Sequence, residues 1–309
     1  MPSFNSIWSE KFRPKTLSDI VLKAEIKQLI LNYTKQQEIP NLLFVNKPGC
    51  GKSSLARILV NDVLKCQYLY INASDENGID TVREKITSFA QTKSIDGGIK
   101  VIILDEAEGI SESGQRALRN TMEEYAKYTR FILTANQLHK VIPAIQSRCQ
   151  SITIESDLFD VVKRCLFILK QEGITIEEAD KPQLLHVIKT HFPDIRRTIN
   201  MLQKMCASGK FIANSVSKSD EFADELLQMI FEKKNCKAVR QHIIENEDRF
   251  ANDYQAMLKT LLQSIYANDC DEKKKQVMIC IVAEHLYRTA FAMDQEINAF
   301  HCCLNLLNV

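Results

Sequence analysis

From residue 41 to about residue 154 the apolar residues fall in short unbroken runs: Leu42-Leu43-Phe44-Val45, Tyr68-Leu69-Tyr70-Ile71-Asn72, Val101-Ile102-Ile103-Leu104-Asp105, Phe131-Ile132-Leu133-Thr134-Ala135-Asn136 and Ser151-Ile152-Thr153-Ile154. Helix-length segments separate them. Runs that are nearly all apolar fit strands buried on both faces, and strands that alternate with helices fit a parallel sheet. The expected fold class is therefore α/β, a parallel five-stranded sheet with helices on both faces, and its ligands should gather at the carboxyl ends of the strands. Beyond Ile154 the strand-like runs stop. Residues 157–208 carry helical periodicity broken by Gly173, Pro182 and Pro193, which fits a small helical lid. The polar stretch Asn214 to Asp220 reads as a linker. From Glu221 apolar residues recur three and four apart, as in Leu226, Ile230 and Phe231 or Ile297, Phe300 and Leu304, which predicts an all-helical third domain. The expected division is 1–155, 156–213 and 221–309.

Composition changes this picture little. A chain of 309 residues, 45% hydrophobic and 26% charged, is long enough for two or three packed units. No apolar run approaches the roughly 20 residues that cross a bilayer, and Met1 to Lys11 lacks a basic region followed by an apolar stretch. We expect no membrane partner and no secretion. The ten cysteines form no C-x-x-C pair and no ligand-spaced cluster with the six histidines, so free, mostly buried thiols are expected rather than disulfides or zinc. The net charge of +1 gives no overall attraction to nucleic acid, so any such contact must come from a local patch.

The ends of the strands carry the chemistry. Asn46-Lys47-Pro48-Gly49-Cys50-Gly51-Lys52-Ser53-Ser54 follows a strand and opens a helix, matching G-x-x-x-x-G-K-[ST] except that Asn46 replaces the first glycine. Asparagine tolerates a left-handed backbone best among the non-glycine residues, so this replacement is expected to be mild. Gly49 and Gly51 let backbone N–H groups curl round phosphate oxygens, Lys52 reaches the outer phosphates, and the Ser53 hydroxyl suits magnesium. Asp105 and Glu106 end the next motif-bearing strand. One carboxylate there can serve the metal and the other can polarise a water for attack on a phosphate, although such a pair can also simply cap a helix. Asn136 ends the following strand, where an amide can orient that water or touch the terminal phosphate, or merely form a turn. Arg148, in Ser147-Arg148-Cys149, stands equally as a surface charge or as an arginine presented to a neighbouring subunit's nucleotide. In Asp194-Ile195-Arg196-Arg197, Arg196 is either part of a solvated basic turn or folds back onto the terminal phosphate and couples the lid to nucleotide state.

Taken in order, these motifs resemble one family, the AAA+ sliding-clamp loaders. Within it the chain is similar to the replication factor C small subunits and, more closely, to the clamp-loader large subunit of T-even-type bacteriophages. The resemblance runs from Glu10-Lys11-Phe12-Arg13-Pro14 through the phosphate loop, Asn72-Ala73-Ser74-Asp75, Gly78-Ile79-Asp80, Val82-Arg83, Asp105-Glu106, Gln115-Arg116-Ala117-Leu118-Arg119, Thr134-Ala135-Asn136 and Ser147-Arg148-Cys149 to Asp194-Ile195-Arg196-Arg197. Glu108 departs from the family's D-E-A-D variant.

The resemblance implies an ATP hydrolase that uses Mg2+ held by Ser53 and Asp105, with Glu106 as base. It implies Asn136 and Arg196 as sensors and Arg148 as a finger acting in trans. Ser9, Glu10, Lys11, Phe12 and Val21 would hold adenine, and Gly49, Cys50, Gly51, Lys52, Ser53 and Ser54 the phosphates. Arg83 and Arg116 or Arg119 would face DNA along the inside of a spiral. The implied partners are further copies of this chain and a second clamp-loader subunit in a pentamer joined by the C-terminal collar, a sliding clamp, and primer-template DNA. The implied compartment is the cytoplasm, that of the host for a viral chain.

Overall fold

The computed structural model describes residues 7–36, 38–74, 79–92, 98–212, 214–232, 235–250 and 252–309, and the side chains at all of these except 34, 79–83 and 214–220. The chain divides into two compact units, residues 1–210 and 211–309.

The first unit opens with α1 (Trp8–Lys11) and α2 (Ala24–Gln36), then runs β1 (Leu42–Val45), α3 (Lys52–Ile58), β2 (Tyr68–Asn72), α4 (Ile79–Gln91), β3 (Lys100–Asp105), α5 (Glu112–Glu124), β4 (Thr129–Ala135), α6 (Pro143–Gln146) and β5 (Gln150–Thr153). The five strands lie in the order β2-β3-β4-β1-β5, and all neighbours are parallel. The α/β sheet expected from the apolar runs is the one present.

Side chains alternate along a strand, so each strand feeds two cores. Leu42 and Phe44 of β1, Val101 and Ile103 of β3, and Ile132 of β4 pack with Ile30 of α2 and Leu55 and Ile58 of α3. Their neighbours Leu43, Ile102, Leu104, Phe131 and Leu133 face the other way, onto Ile86 of α4, Leu118 and Met122 of α5, and Ile145 of α6. Burial on both faces is why the middle strands β1, β3 and β4 are apolar through most of their length, with Asp105 and Asn136 at or just past their carboxyl ends, whereas the edge strand β5 (Gln150-Ser151-Ile152-Thr153) is exposed at all but Ile152. At the amino end of β3 lies the buried Lys100. Its ammonium donates to the carbonyls of Phe89 and Thr92 and to Thr92 Oγ1 (3.1 Å), holding the end of α4.

Three helices complete this unit: α7 (Leu158–Gln171), α8 (Lys181–His191) and α9 (Ile195–Met205). The punctuation read from the sequence falls where these helices start and stop. Gly173 takes φ +73° just past α7, Pro182 lies in the first turn of α8, and Pro193 separates α8 from α9. Asp194 caps α9 by accepting from the Arg197 N–H at 2.9 Å.

The second unit is all helical, with α10 (Asn214–Phe231), α11 (Cys236–Glu245), α12 (Tyr254–Ala267), α13 (Glu272–Arg288) and α14 (Gln295–Leu307) around one core that includes Phe222, Leu226, Leu261, Val282 and Cys302. Here the reading of Asn214 to Asp220 as a linker is corrected, because these residues form the first two turns of α10. The buried Phe222, Leu226 and Leu227 anchor the helix further on, and its backbone hydrogen bonding continues into residues whose composition alone suggested a loop. All ten cysteines are free; Cys50, Cys165, Cys206, Cys302 and Cys303 are buried, and Cys236 and Cys280 are exposed.

Candidate nucleotide site

β1 runs out at Val45, and the chain turns through Asn46 to Gly51 before α3 begins at Lys52. The turn is tight enough to need two left-handed residues, and glycine supplies both: Gly49 has φ +77° and Gly51 φ +93°. Asn46 does not share this conformation. Among the described residues the non-glycine positive φ angles belong to Lys65, Glu106 and Asn252. The expectation that Asn46 substitutes for glycine by tolerating a left-handed backbone is therefore corrected. Its amide acts as a brace, donating to the Ile154 carbonyl at 2.6 Å and accepting from the Lys47 N–H at 2.6 Å.

Lys52 is only 6% exposed. Its ammonium donates to the Asn46 and Lys47 carbonyls (2.8 and 2.9 Å) and to Asn136 Oδ1 (2.7 Å), so the first and third motifs meet on one cation. Burial pulls its pKa below the usual lysine value, and the nearby Glu108, Asp105 and Glu106 carboxylates oppose that shift. A desolvated cation on a loop of turned-in N–H groups suits a polyanion.

Asp105 ends β3, and both of its oxygens accept hydrogen bonds. Oδ1 receives the hydroxyls of Ser53 (2.7 Å) and Thr134, and Oδ2 receives Tyr70 OH at 2.6 Å. The next residue, Glu106, sits in the left-handed region at φ +55°, ψ +49°. Its N–H donates to Thr134 Oγ1 at 3.0 Å, so one threonine on β4 fixes both acids. Glu108 Oε1 accepts the Asn136 N–H at 2.8 Å and ties the asparagine to the acid-bearing turn.

Lys52, Ser53, Tyr70, Asp105, Glu106, Thr134 and Asn136 line one cleft of about 330 Å³, together with Ser9, Phe12, Val21, Cys50, Ser54 and, from the lid, Ile195 and Arg196. The lid seats directly on the phosphate loop. Cys50 Sγ lies 3.6 Å from the Pro193 carbonyl, and a Cβ placed on Gly49 would fall 1.8 Å from Asp194 Oδ1. The N-terminal segment is tied to the same helices, with Arg164 donating to the Phe12 carbonyl (2.9 Å) and the Trp8 N–H donating to Gln203 Oε1 (2.9 Å).

Residues 42–156 match the model of the ATPase family associated with various cellular activities, AAA. Residues 157–216 match that of the sliding-clamp-loader large subunit, AAA+ ATPase lid domain. The chain is 35% identical over 308 residues to a replication factor C small subunit of Staphylothermus marinus, covering 95% of this chain and 93% of that protein. It is 39% identical over 301 residues to one of Methanococcus vannielii, covering 94% and 95%. The chain belongs to the replication factor C small-subunit family. It is an AAA+ ATPase. Both relatives are archaeal, while the lid model is that of a clamp-loader large subunit, the other group the sequence resembles. Among solved structures, the Thermotoga maritima RuvB Holliday junction branch migration motor superposes with a TM-score of 0.53 at 16% identity, over 75% of this chain and 85% of that one. That likeness is one of fold.

Within this family member the residues singled out from the sequence do not all converge. Lys52, Ser53, Asp105, Glu106, Asn136 and Arg196 share the cleft, as do Ser9, Phe12 and Val21. The side chains of Glu10 and Lys11 bond elsewhere, Glu10 accepting from Arg13 (2.6 Å) and Lys11 pairing with Glu172 (2.6 Å). Arg148 lies outside its own chain's cleft lining, with its Nε donating to Glu123 at 2.7 Å and Nη1 to the Ala144 carbonyl at 2.8 Å. Arg116 is exposed and paired with Glu112 (2.5 Å), and Arg119 bonds Asn120. The side chain of Arg83 lies outside the described residues, as do Asp75 and Gly78 entirely.

Sequence reasoning missed Tyr70, Thr134 as a bridge, Arg164 and Asp194. Thr134 was findable, since a hydroxyl inside an otherwise apolar buried strand needs a partner. Tyr70 carries no such signal, because tyrosine is an ordinary strand residue.

Proposed function

We propose that this chain is an ATPase subunit of a sliding-clamp loader, in which ATP binding holds an open clamp for delivery to primer-template DNA and hydrolysis releases both. The observation that carries the reading is the convergence of Lys52 on Asn136 and of Ser53 on Asp105 in one cleft, beneath a lid that brings Arg196 to the same space.

In this reading ATP occupies the cleft, with adenine near Ser9, Phe12 and Val21 and the phosphates over Gly49 to Ser54. The donor set fits Mg2+ as well. A serine hydroxyl already paired with a carboxylate at the end of a buried strand is an oxygen-only arrangement suited to a hard cation, and Ser53 and Asp105 would hold it. Mg2+, when bound, neutralises phosphate charge. Glu106, held by its N–H to Thr134, accepts a proton from the attacking water. Asn136 and Arg196 grip the terminal phosphate, so its loss alters both the sheet edge and the lid.

Arg148 completes the neighbouring subunit's site rather than its own, which makes ATP a bond between subunits. Such a bond locks a spiral of several copies with a partner subunit in a pentamer. Residues 1–155 form the motor, 156–213 the lid and 221–309 the collar. Arg116, Arg119 and Arg83 meet DNA phosphates without reading bases, which suits loading at any junction. The activity belongs to the cytoplasm, and among the described residues no helix is long and apolar enough to cross a membrane.

The test is ATP turnover by the chain with its partner subunit, alone, with primer-template DNA, with a sliding clamp, and with both. We expect a large rise only with both together, and loss of that rise in Lys52→Ala. Turnover indifferent to the clamp leaves an ATPase and removes the clamp-loader reading.

A further inference from the structure

Asp105 is held by one group more than the phosphate-loop motifs call for. Ser53 belongs to the loop and Thr134 to β4, and both donate to Oδ1. Oδ2 is held by Tyr70, a residue of the edge strand β2, whose hydroxyl donates to it at 2.6 Å. The tyrosine ring is itself fixed, since the Arg57 guanidinium from α3 lies 4.4 Å from its centroid. Both side chains face the nucleotide cleft.

The arrangement matters because a carboxylate turns easily about its last torsion, a broad and roughly two-fold rotation. With donors on Oδ1 alone, the plane of Asp105 would be free to rock. A donor on Oδ2 sets the plane and, with Oδ1 already accepting two hydroxyls, leaves about one acceptor site of the carboxylate for a ligand. Groups that orient a ligand in this way govern metal affinity without touching the metal.

We propose that Tyr70 is a positioning residue for the metal-dependent step: its hydroxyl fixes the second oxygen of Asp105, and Arg57 fixes the ring that carries the hydroxyl. The inference rests on the reading of Asp105 as the magnesium carboxylate. It adds a contact made by β2, the strand that leads towards α4, the helix that carries Arg83.

Two rival roles predict different results. If the ring is only a wall of the cleft, its hydroxyl has no bearing on magnesium. If the hydroxyl competes with the metal for Oδ2, removing it improves magnesium binding. The experiment measures the affinity of the full chain for a fluorescent ADP, in EDTA and across a magnesium titration, for the unaltered protein, Tyr70→Phe and Arg57→Gln.

We expect Tyr70→Phe to match the unaltered chain in EDTA, which also reports an intact cleft. Its magnesium-dependent gain in affinity should shrink, with the magnesium midpoint raised about tenfold. Arg57→Gln, which keeps the hydroxyl but frees the ring, should shift the midpoint the same way by less. An unchanged midpoint in Tyr70→Phe overturns the inference, as does a lower one or a parallel loss of binding in EDTA and in magnesium. If the unaltered chain itself gains no affinity from magnesium, the reading of Asp105 falls first and the inference falls with it.

Discussion

At the residue scale the most constrained position in the site is Gly49, which answers to two demands at once. Its φ of +77° costs a residue with a Cβ about 1–2 kcal/mol, and the Cβ would collide with the Asp194 carboxylate. Gly49→Ala should therefore lower the urea midpoint and also weaken ADP binding, because the lid end of α9 and the phosphate loop cannot both keep their places. Asp194→Ala removes the colliding atoms but also the cap on the Arg197 N–H, a loss of about 1 kcal/mol. The double variant should accordingly lose less than the two single losses added together, since part of the Gly49→Ala penalty is the contact that Asp194→Ala deletes. Additive losses would mean that the backbone conformation alone makes the glycine necessary. A second residue-scale expectation concerns pH. Glu225 makes a fork with Arg249 (2.7 and 3.1 Å), and that bond holds its pKa below the ordinary glutamate value of 4.5. A carboxylate depressed by folding contributes stability above its unfolded pKa and loses it as the pH falls through the folded one. Glu225→Gln should cost about 0.2–1 kcal/mol at pH 7, as partly exposed ion pairs do, and the gap between variant and parent should close on acidification below pH 4.5.

At the scale of elements, the joint between α5 and the turn after β4 depends on one buried amide. Gln115 is 3% exposed, donates to the carbonyls of Ile110 (3.0 Å) and Lys140 (2.9 Å), and accepts from the Ile142 N–H (2.8 Å). Gln115→Ala should cost about 1–3 kcal/mol for each backbone group left without a partner, read as a lower urea midpoint. Gln115→Glu should be no better, because a carboxylate cannot donate to two carbonyls. The turn that Gln115 holds leads into α6 and on to Arg148, so turnover in the assembled complex should fall further than ADP affinity. The same joint marks how far the sequence could be read. The middle strands β1, β3 and β4 were legible because burial on both faces writes a nearly all-apolar run, and the lid helices because Gly173, Pro182 and Pro193 fall at their ends. The loop and the acid pair were legible because glycines, Lys52 and Asp105-Glu106 are unusual residues for those positions. Gln115, Asp194 and Tyr70 were not legible as partners, since each is an ordinary residue of its element and acts through an atom 25 or more residues away in the chain. The first turns of α10 were misread for the opposite reason: polar composition looks the same in a loop and in the first turns of a helix.

At the scale of the whole molecule, the unsettled property is whether a cleft works with its own chain's residues only. Arg148 bonds Glu123 and the Ala144 carbonyl, and the lining of its own chain's cleft does not include it. The side chain is one-third exposed, so a neighbour's phosphate can reach it in exchange for the Glu123 carboxylate. The proposed division of labour yields a prediction that no single-chain mechanism shares. If Arg148 acts in trans as proposed, Lys52→Ala should spoil a chain's own cleft but leave its Arg148 to serve a neighbour. On the same proposal, Arg148→Ala should leave its own cleft whole but deprive the neighbour. Assemblies made wholly of either variant should be inactive, the first through lost phosphate binding and the second with ADP affinity retained. Mixed before assembly, they form some interfaces in which an intact Lys52 cleft from an Arg148→Ala chain meets an intact Arg148 from a Lys52→Ala chain. Those interfaces alone carry every group, so turnover should reappear on mixing and rise to a maximum at an intermediate ratio. If Arg148 acted within its own chain, every chain in the mixture would still lack one group, and no ratio would restore activity.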